Sequence, residues 1–199
     1  MIIVVRHGRT VSNAAGLLLG RADPDLDEVG VDQAARLASA LAGAAGTGID
    51  RIVTSPLLRT RRTAAAIEAA TGAPVTVDER FIELDYGEWD QRPLSEVGAD
   101  QWAAWRADDD FAPPGGESLA ALGRRVRSGL DELADEARDR DLVVVTHVSP
   151  VKAAVAWAVG GTDSMAWRMF VAPASITRIA TSVGSPSLHT FNDCAHLAG

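Results

Sequence analysis

The chain has 199 residues, 47% of them hydrophobic, which suits one domain with a sizeable core and room for an inserted cap. A net charge of −8 and a pI of about 4.9 disfavour nucleic acid and anionic membrane as partners, so any anionic substrate would need a local basic cluster. The single Cys194 excludes an intramolecular disulfide framework, and the apolar N-terminal run is too short for a signal peptide or membrane span; a cytoplasmic protein is expected.

The chain opens on Ile2-Ile3-Val4-Val5, a β-branched run stopped by Arg6-His7-Gly8-Arg9-Thr10. An apolar run that ends abruptly in polar residues reads as a buried central strand. In open parallel sheets, ligands bind beyond the carboxyl ends of such strands, so Arg6 and His7 stand where chemistry is expected. Asn13 follows within reach of the same strand end. Gly20–Glu28, with Pro24 and several Asp, reads as a loop. A helix follows near Gly30–Ala42, with Val31, Ala34, Ala35, Ala38 and Leu41 at helical spacing, and Gly43–Gly48 ends it.

Arg51–Thr54 reads as a second buried strand. Ser55-Pro56 then looks like an N-cap followed by proline at the first helical position, with the helix running to about Thr71. Arg59 and Arg62, three residues apart, share a face of it. Val75–Val77 is a third short strand, and Phe81–Trp89 reads as a loop of acids, aromatics and glycine. Pro93–Phe111 is expected to be helical in part. Pro113-Pro114-Gly115-Gly116 is a firm break, and Ser118–Arg138 carries a helical stripe of Leu119, Leu122, Val126, Leu130 and Leu133.

Leu142–Val145 is another buried strand, ending in Thr146 and His147. Ser149-Pro150 again reads as N-cap and first helical position, opening a helix to about Val159. Asp163–Met169 is a short helix, and Ala174–Val183 and Ser187–Phe191 are closing strands. Alternating strands and helices predict an α/β fold: three layers, with a mostly parallel central sheet between helices on both faces.

Three strand ends therefore carry polar residues of one kind: Arg6, His7 and Asn13; Arg59 with Arg62 behind it; and His147. Alone, each reads as an ordinary polar or solvated residue. Together on one sheet edge, with two helix N-termini, they make an anion pocket suited to a phosphoryl group.

These residues resemble the histidine phosphatase (phosphoglycerate mutase-like) superfamily. Arg6-His7-Gly8-Arg9-Thr10 with Asn13 is similar to its Arg-His-Gly-x-Thr-x-x-Asn signature. Ser55 to Ala64 is similar to its Ser-x-x-x-Arg-x-x-x-Thr-Ala segment. Glu83 with Gly87 and Trp89, then Pro114-Gly115-Gly116-Glu117-Ser118, then Thr146-His147, match further landmarks in order. The resemblance covers nearly the whole chain and implies a single domain over 1–199 with a small cap around 81–117.

In that superfamily the histidine of Arg-His-Gly becomes phosphohistidine, which here points to His7. The resemblance implies that Arg6, Asn13, Arg59 and His147 hold the phosphoryl group. Glu83 would be the proton donor, with Asp85 and Glu88 as nearby alternatives. That role needs an acid still protonated at working pH, hence a raised pKa or an acidic optimum. No metal and no cofactor are expected, because the cationic side chains supply the electrostatic stabilisation.

The chain departs from the pattern in places. Arg9 stands where Glu or Gln is frequent, and is expected either to select a doubly anionic substrate, along with Arg62, or to pair with a loop acid such as Asp23. Val148 and Asp90-Gln91 replace frequent glycines. The 147–152 motif resembles the phosphatase domain fused to ribonuclease H in some bacteria, and no such fusion is expected here. The short interval from Leu84 to Thr146 favours a phosphatase acting on a small phosphorylated metabolite. A cofactor-dependent phosphoglycerate mutase is the alternative, and a non-catalytic phospho-ligand-binding module is the alternative of another class. A homodimer is allowed.

Overall fold

The structure, a computed structural model, describes residues 1–43, 48–182 and 184–198. Strands β1 (Ile2–Arg6), β2 (Arg51–Thr54), β3 (Val75–Val77), β4 (Leu142–Thr146), β5 (Ile176–Ala180) and β6 (Ser187–Asp193) form one sheet in the order β3-β2-β4-β1-β5-β6. The first four strands are parallel, β5 runs antiparallel to β1, and β6 antiparallel to β5. The mostly parallel sheet follows from the apolar, two-faced strands: every residue of β1 and β4 is buried.

Among the described residues, six α-helices accompany the sheet: α1 (Val11–Ala14), α2 (Glu28–Ala42), α3 (Leu58–Thr71), α4 (Ala99–Ala107), α5 (Leu119–Glu136) and α6 (Val148–Val159). Ile3, Val5, Ile52, Val143 and Val145 pack against Leu37 and Leu41 of α2 and Ala64 and Ile67 of α3. The alternate residues Ile2, Val4, Val53, Leu142 and Val144 share the other core with Leu122, Val126 and Leu130 of α5 and Val151 and Ala154 of α6. The sheet thus has helices on both faces. Segment 81–117 holds two short 3-10 turns, Gly87–Trp89 and Leu94–Glu96, and α4; Trp89, Val97 and Trp105 join the α5–α6 core.

Several boundaries differ from expectation, each for a local reason. The buried face of α2 is Ala34, Leu37, Ala38 and Leu41, while Val31 and Ala35 are exposed. The larger Leu37 takes the core position. The expected end of this helix at Gly43–Gly48 is met by Gly43 as C-cap, while 44–47 lie outside the described residues. Ser55 does not cap α3, whose N-cap is Leu57; the Ser55 hydroxyl bonds His147 instead. The first free N–H of α3, on Leu58, donates to Asp23 Oδ1 at 2.6 Å.

Ser149 likewise does not cap α6, whose N-cap is His147. The Ser149 N–H donates to Glu83 Oε1 at 3.2 Å, so a distant carboxylate serves this helix end. The strand expected from Ala174 begins at Ile176, because Ala174 turns with φ 55°; Val183, its expected end, lies outside the described residues.

Register places the chemistry. Arg6 pairs with Thr146 and Thr54 with Val145, so the carboxyl ends of β1, β4 and β2 lie side by side.

Candidate active site

At the end of β1, the chain passes from sheet into loop with His7 almost fully buried, 2% exposed. Its N–H donates to the Thr146 carbonyl (2.9 Å) and its carbonyl accepts from Ala174 (3.0 Å), so the backbone on both sides is fixed. Gly8 and Gly30 make this possible. A Cβ on Gly8 would come 2.4 Å from the Gly30 carbonyl oxygen, and one on Gly30 2.0 Å from that of Arg9. Only glycines let α2 approach the loop this closely.

The His7 ring has an assigned proton. Nδ1 lies 2.7 Å from the Gly8 carbonyl oxygen, which can only accept, so Nδ1 carries the hydrogen and Nε2 the lone pair. Burial, then the charges of Arg59 and Arg6, hold the ring's pKa well below its ordinary value of 6.5. His7 is therefore a neutral imidazole with its bare nitrogen turned toward arginine.

That arginine is Arg59, fully buried on the first turn of α3. Its Nε–H is shared between His7 Nε2 (3.3 Å) and His147 Nδ1 (3.2 Å). Its Nη1 and Nη2 donate to the carbonyls of Ala22 and Gly20, both at 2.8 Å. Asp90 takes the N–H groups of the same two residues, at 2.7 and 2.8 Å, so loop 20–22 is clamped from both sides. Burial lowers the Arg59 pKa, opposed first by Glu83 and then by Asp23 and Asp90.

His147 at the end of β4 is also fully buried, with Nε2 2.8 Å from Ser55 Oγ and its ring centroid 5.1 Å from that of His7. Its pKa too is held well below 6.5, by burial and then Arg59.

Arg6 completes the cationic floor. Nη1 donates to the Val171 carbonyl (2.7 Å), while the buried Nε has no partner among the described residues. Burial pushes its pKa down to about 10, so it remains charged at neutral pH.

Glu83 enters from the other side of the sheet edge, 3% exposed, its carboxylate accepting from the Leu84 and Ser149 N–H groups. The loop that carries it is gripped by Arg125 of α5. Arg125 donates to the carbonyls of Arg80 (2.7 Å), Ile82 (2.6 Å) and Glu83 (3.1 Å) and forks onto Glu117 at 2.8 Å through both Nε and Nη2. Asp85 instead accepts from the Gly87 N–H and is partly exposed, and Glu88 is exposed.

Arg6, His7, Asn13 and Glu83 line one cavity of about 160 Å³. Asn13 Oδ1 accepts from both the N–H and the hydroxyl of Thr10, which leaves its Nδ2 donor for the cavity. Arg9 and Arg62 are not brought there. Arg9 pairs with Asp27 (2.8 Å), not Asp23, and Arg62 with Asp25 (3.3 Å), 62% exposed on the outer face of α3. Arg59 and Arg62 thus do not share an environment.

Sequence reasoning missed Tyr86, Leu17–Leu19 and Leu94 on the cavity wall, and the Arg125 clamp. None carries a motif signal: Arg125 sits within an ordinary amphipathic stripe. Asp90 and Gln91, read as departures, have structural roles. Gln91 takes φ 64°, a conformation that favours glycine, with its side chain accepting from Ser12 (3.0 Å). Trp102, Trp105 and Trp167 pack on one another and not on the cavity. Among the described residues, no three His, Cys, Asp or Glu are placed to hold a metal ion, and no helix is long and apolar enough to cross a membrane.

The sequence pattern of the histidine phosphatase superfamily (branch 1) matches residues 2–194. The chain belongs to this superfamily. A bifunctional protein of Mycobacterium tuberculosis is 32% identical over 98% of this chain but 54% of its own length. The chain thus spans about half of the first curated relatives it matches. Phosphoserine phosphatase 1 of Hydrogenobacter thermophilus is 34% identical over 83% of this chain and 79% of its own. Among solved structures, a mycobacterial glucosyl-3-phosphoglycerate phosphatase in complex with VO3 superposes with a TM-score of 0.85 at 28% identity, covering 96% and 97% of the two chains. The three-layer α/β architecture is the superfamily's.

The two neutral histidines should make stability pH-dependent. Unfolding frees rings that titrate near 6.5, whereas the folded rings resist protonation to well below that. The unfolded chain then binds more protons, so stability is full above about pH 6.5 and falls as pH drops below it, by up to about 1.4 kcal/mol per pH unit for each histidine. Urea unfolding across pH 7.5 to 5 should show this slope, and His147→Gln should reduce it by one proton's worth.

Proposed function

We propose that the protein is a phosphomonoester hydrolase working through a phosphohistidine on His7. The observation that carries this reading is the buried, neutral His7, its Nδ1 proton held by the Gly8 carbonyl and its Nε2 lone pair facing Arg59.

A phosphoryl group bound over Arg6 and Arg59 meets that lone pair. Nε2 forms the P–N bond as the P–O bond to the leaving group breaks, and Glu83 gives its proton to the leaving oxygen. The phosphorylated ring is cationic, and the Gly8 carbonyl on its Nδ1–H stabilises it. Glu83, now a carboxylate, takes a proton from water as the water oxygen attacks phosphorus. The P–N bond breaks, phosphate leaves and both groups return to their starting states.

Arg6, Arg59 and the Asn13 amide hold phosphoryl oxygens. His147 holds a phosphoryl oxygen in the tautomer that carries its proton on Nδ1, with Nε2 then accepting from the Ser55 hydroxyl. Charge on these oxygens is met by groups already in place.

The cavity, well under the roughly 300–1,000 Å³ of pockets for drug-sized ligands, supports a small phosphorylated metabolite as substrate. We read the chain as one domain with segment 81–117 as its cap, acting in the cytoplasm as the lone cysteine suggests.

Phosphate release from a panel of esters in the presence of chelator tests this reading. Wild type should release phosphate, His7→Ala should not, and Glu83→Gln should lower kcat by about 10²–10⁴-fold. Conversion of 3- to 2-phosphoglycerate in place of release would favour a mutase. Arg125 touches no reacting atom and acts through Glu83. Arg125→Lys should lower kcat about ten- to hundredfold with little change in KM, and should have almost no further effect in Glu83→Gln.

A further inference from the structure

The walls of the cavity differ in chemistry from its floor. Beyond the polar groups it is lined by Leu17, Leu18, Leu19, Leu94, Tyr86 and Val148. The backbone of this wall is turned inward on itself. Leu18 donates to the Arg92 carbonyl (2.9 Å) and accepts from the Gln91 N–H (2.7 Å), and Leu17 bridges to Pro93. The main-chain N–H and carbonyl of Leu18 are thereby engaged.

Three nearby cations are committed elsewhere, and the exposed Arg92 does not line the cavity. Arg9 is held by Asp27 and Arg62 by Asp25. Arg21 lies between Asp85 (3.9 Å) and Glu117 (3.7 Å). Lys152, the only lysine of the chain, sits one turn beyond Val148 on α6 and does not line the cavity. Among the described residues, Arg6 is the one cation on the cavity surface, and it belongs to the floor. A carboxylate on the leaving group would shed water against leucine side chains with no second cation on the cavity surface to pair it.

We propose that the site selects phosphomonoesters whose leaving group is uncharged and apolar next to the ester oxygen, and rejects those that carry a carboxylate there. This rests on the phosphomonoesterase reading above. It departs from the substrates in the names of relatives such as phosphoserine phosphatase 1. The apolar wall binds a short alkyl or aryl group by burial, and the discrimination comes from the uncompensated charge of the competitor.

The test has a kinetic arm and a binding arm. In the first, kcat/KM is compared for butyl and phenyl phosphate against phosphoserine and 3-phosphoglycerate. In the second, calorimetry compares butylphosphonate with 3-phosphonopropionate, which bind without turning over. Both arms should favour the uncharged compound by about tenfold or more. Equal treatment or preference for the carboxylate in either arm overturns the proposal. No turnover of any ester, with butylphosphonate still preferred, would sink the phosphatase reading alone and leave the selectivity standing. No turnover and no phosphonate binding would overturn both.

Discussion

One buried guanidinium holds the site together. Arg59 shares a single Nε–H between two histidine nitrogens and spends its other nitrogens on the carbonyls of loop 20–22. Because both ring nitrogens accept, both histidines face it as neutral bases. A positive charge with no exposure is tolerable only with such partners around it, and Asp23 and Asp90 supply compensating negative charge. Burial, and then the same charge, keeps protons off His7 and His147. Loop position depends on this one side chain, which also adds to the effects of burial and the Gly8 carbonyl on the nucleophile.

The fold delivers these groups by register. Parallel pairing sets three strand ends level, and each end turns at once into a residue of the site or into the helix that bears one. Loops then need their own restraints. Asp90 and Arg59 grip one loop through its N–H and carbonyl groups, while Arg125 and Glu117 grip the loop bearing Glu83. Glu83 also serves the N-terminus of α6, so the proposed acid is fixed at both its backbone and its carboxylate. Rigidity of this kind is what a preorganised phosphoryl site requires.

Much of this was legible in the sequence, and for identifiable reasons. Short apolar runs ending in Arg-His or Thr-His marked the strands and their active ends, and the stripe of α5 was read residue for residue. The helix starts at Ser55-Pro56 and Ser149-Pro150 were misread because local propensity was overridden by tertiary partners. Ser55 is taken by His147, and the amide of Ser149 by Glu83. Arg62 looked equivalent to Arg59 from spacing alone, yet three residues around a helix separate core from solvent. Arg9 found Asp27, the cap of α2, a pairing that depends on how the loop folds back. The apolar wall had no sequence signal, since leucines near a motif look like any core.

The account stands on His7 as the atom that takes the phosphoryl group. The most direct measurement is to quench the protein in alkali during turnover of a labelled phosphate ester and map the label by mass spectrometry. Acid-labile, alkali-stable phosphate on His7, lost on its replacement by alanine, is the predicted result. Turnover with no such adduct, or label on another residue, would contradict it.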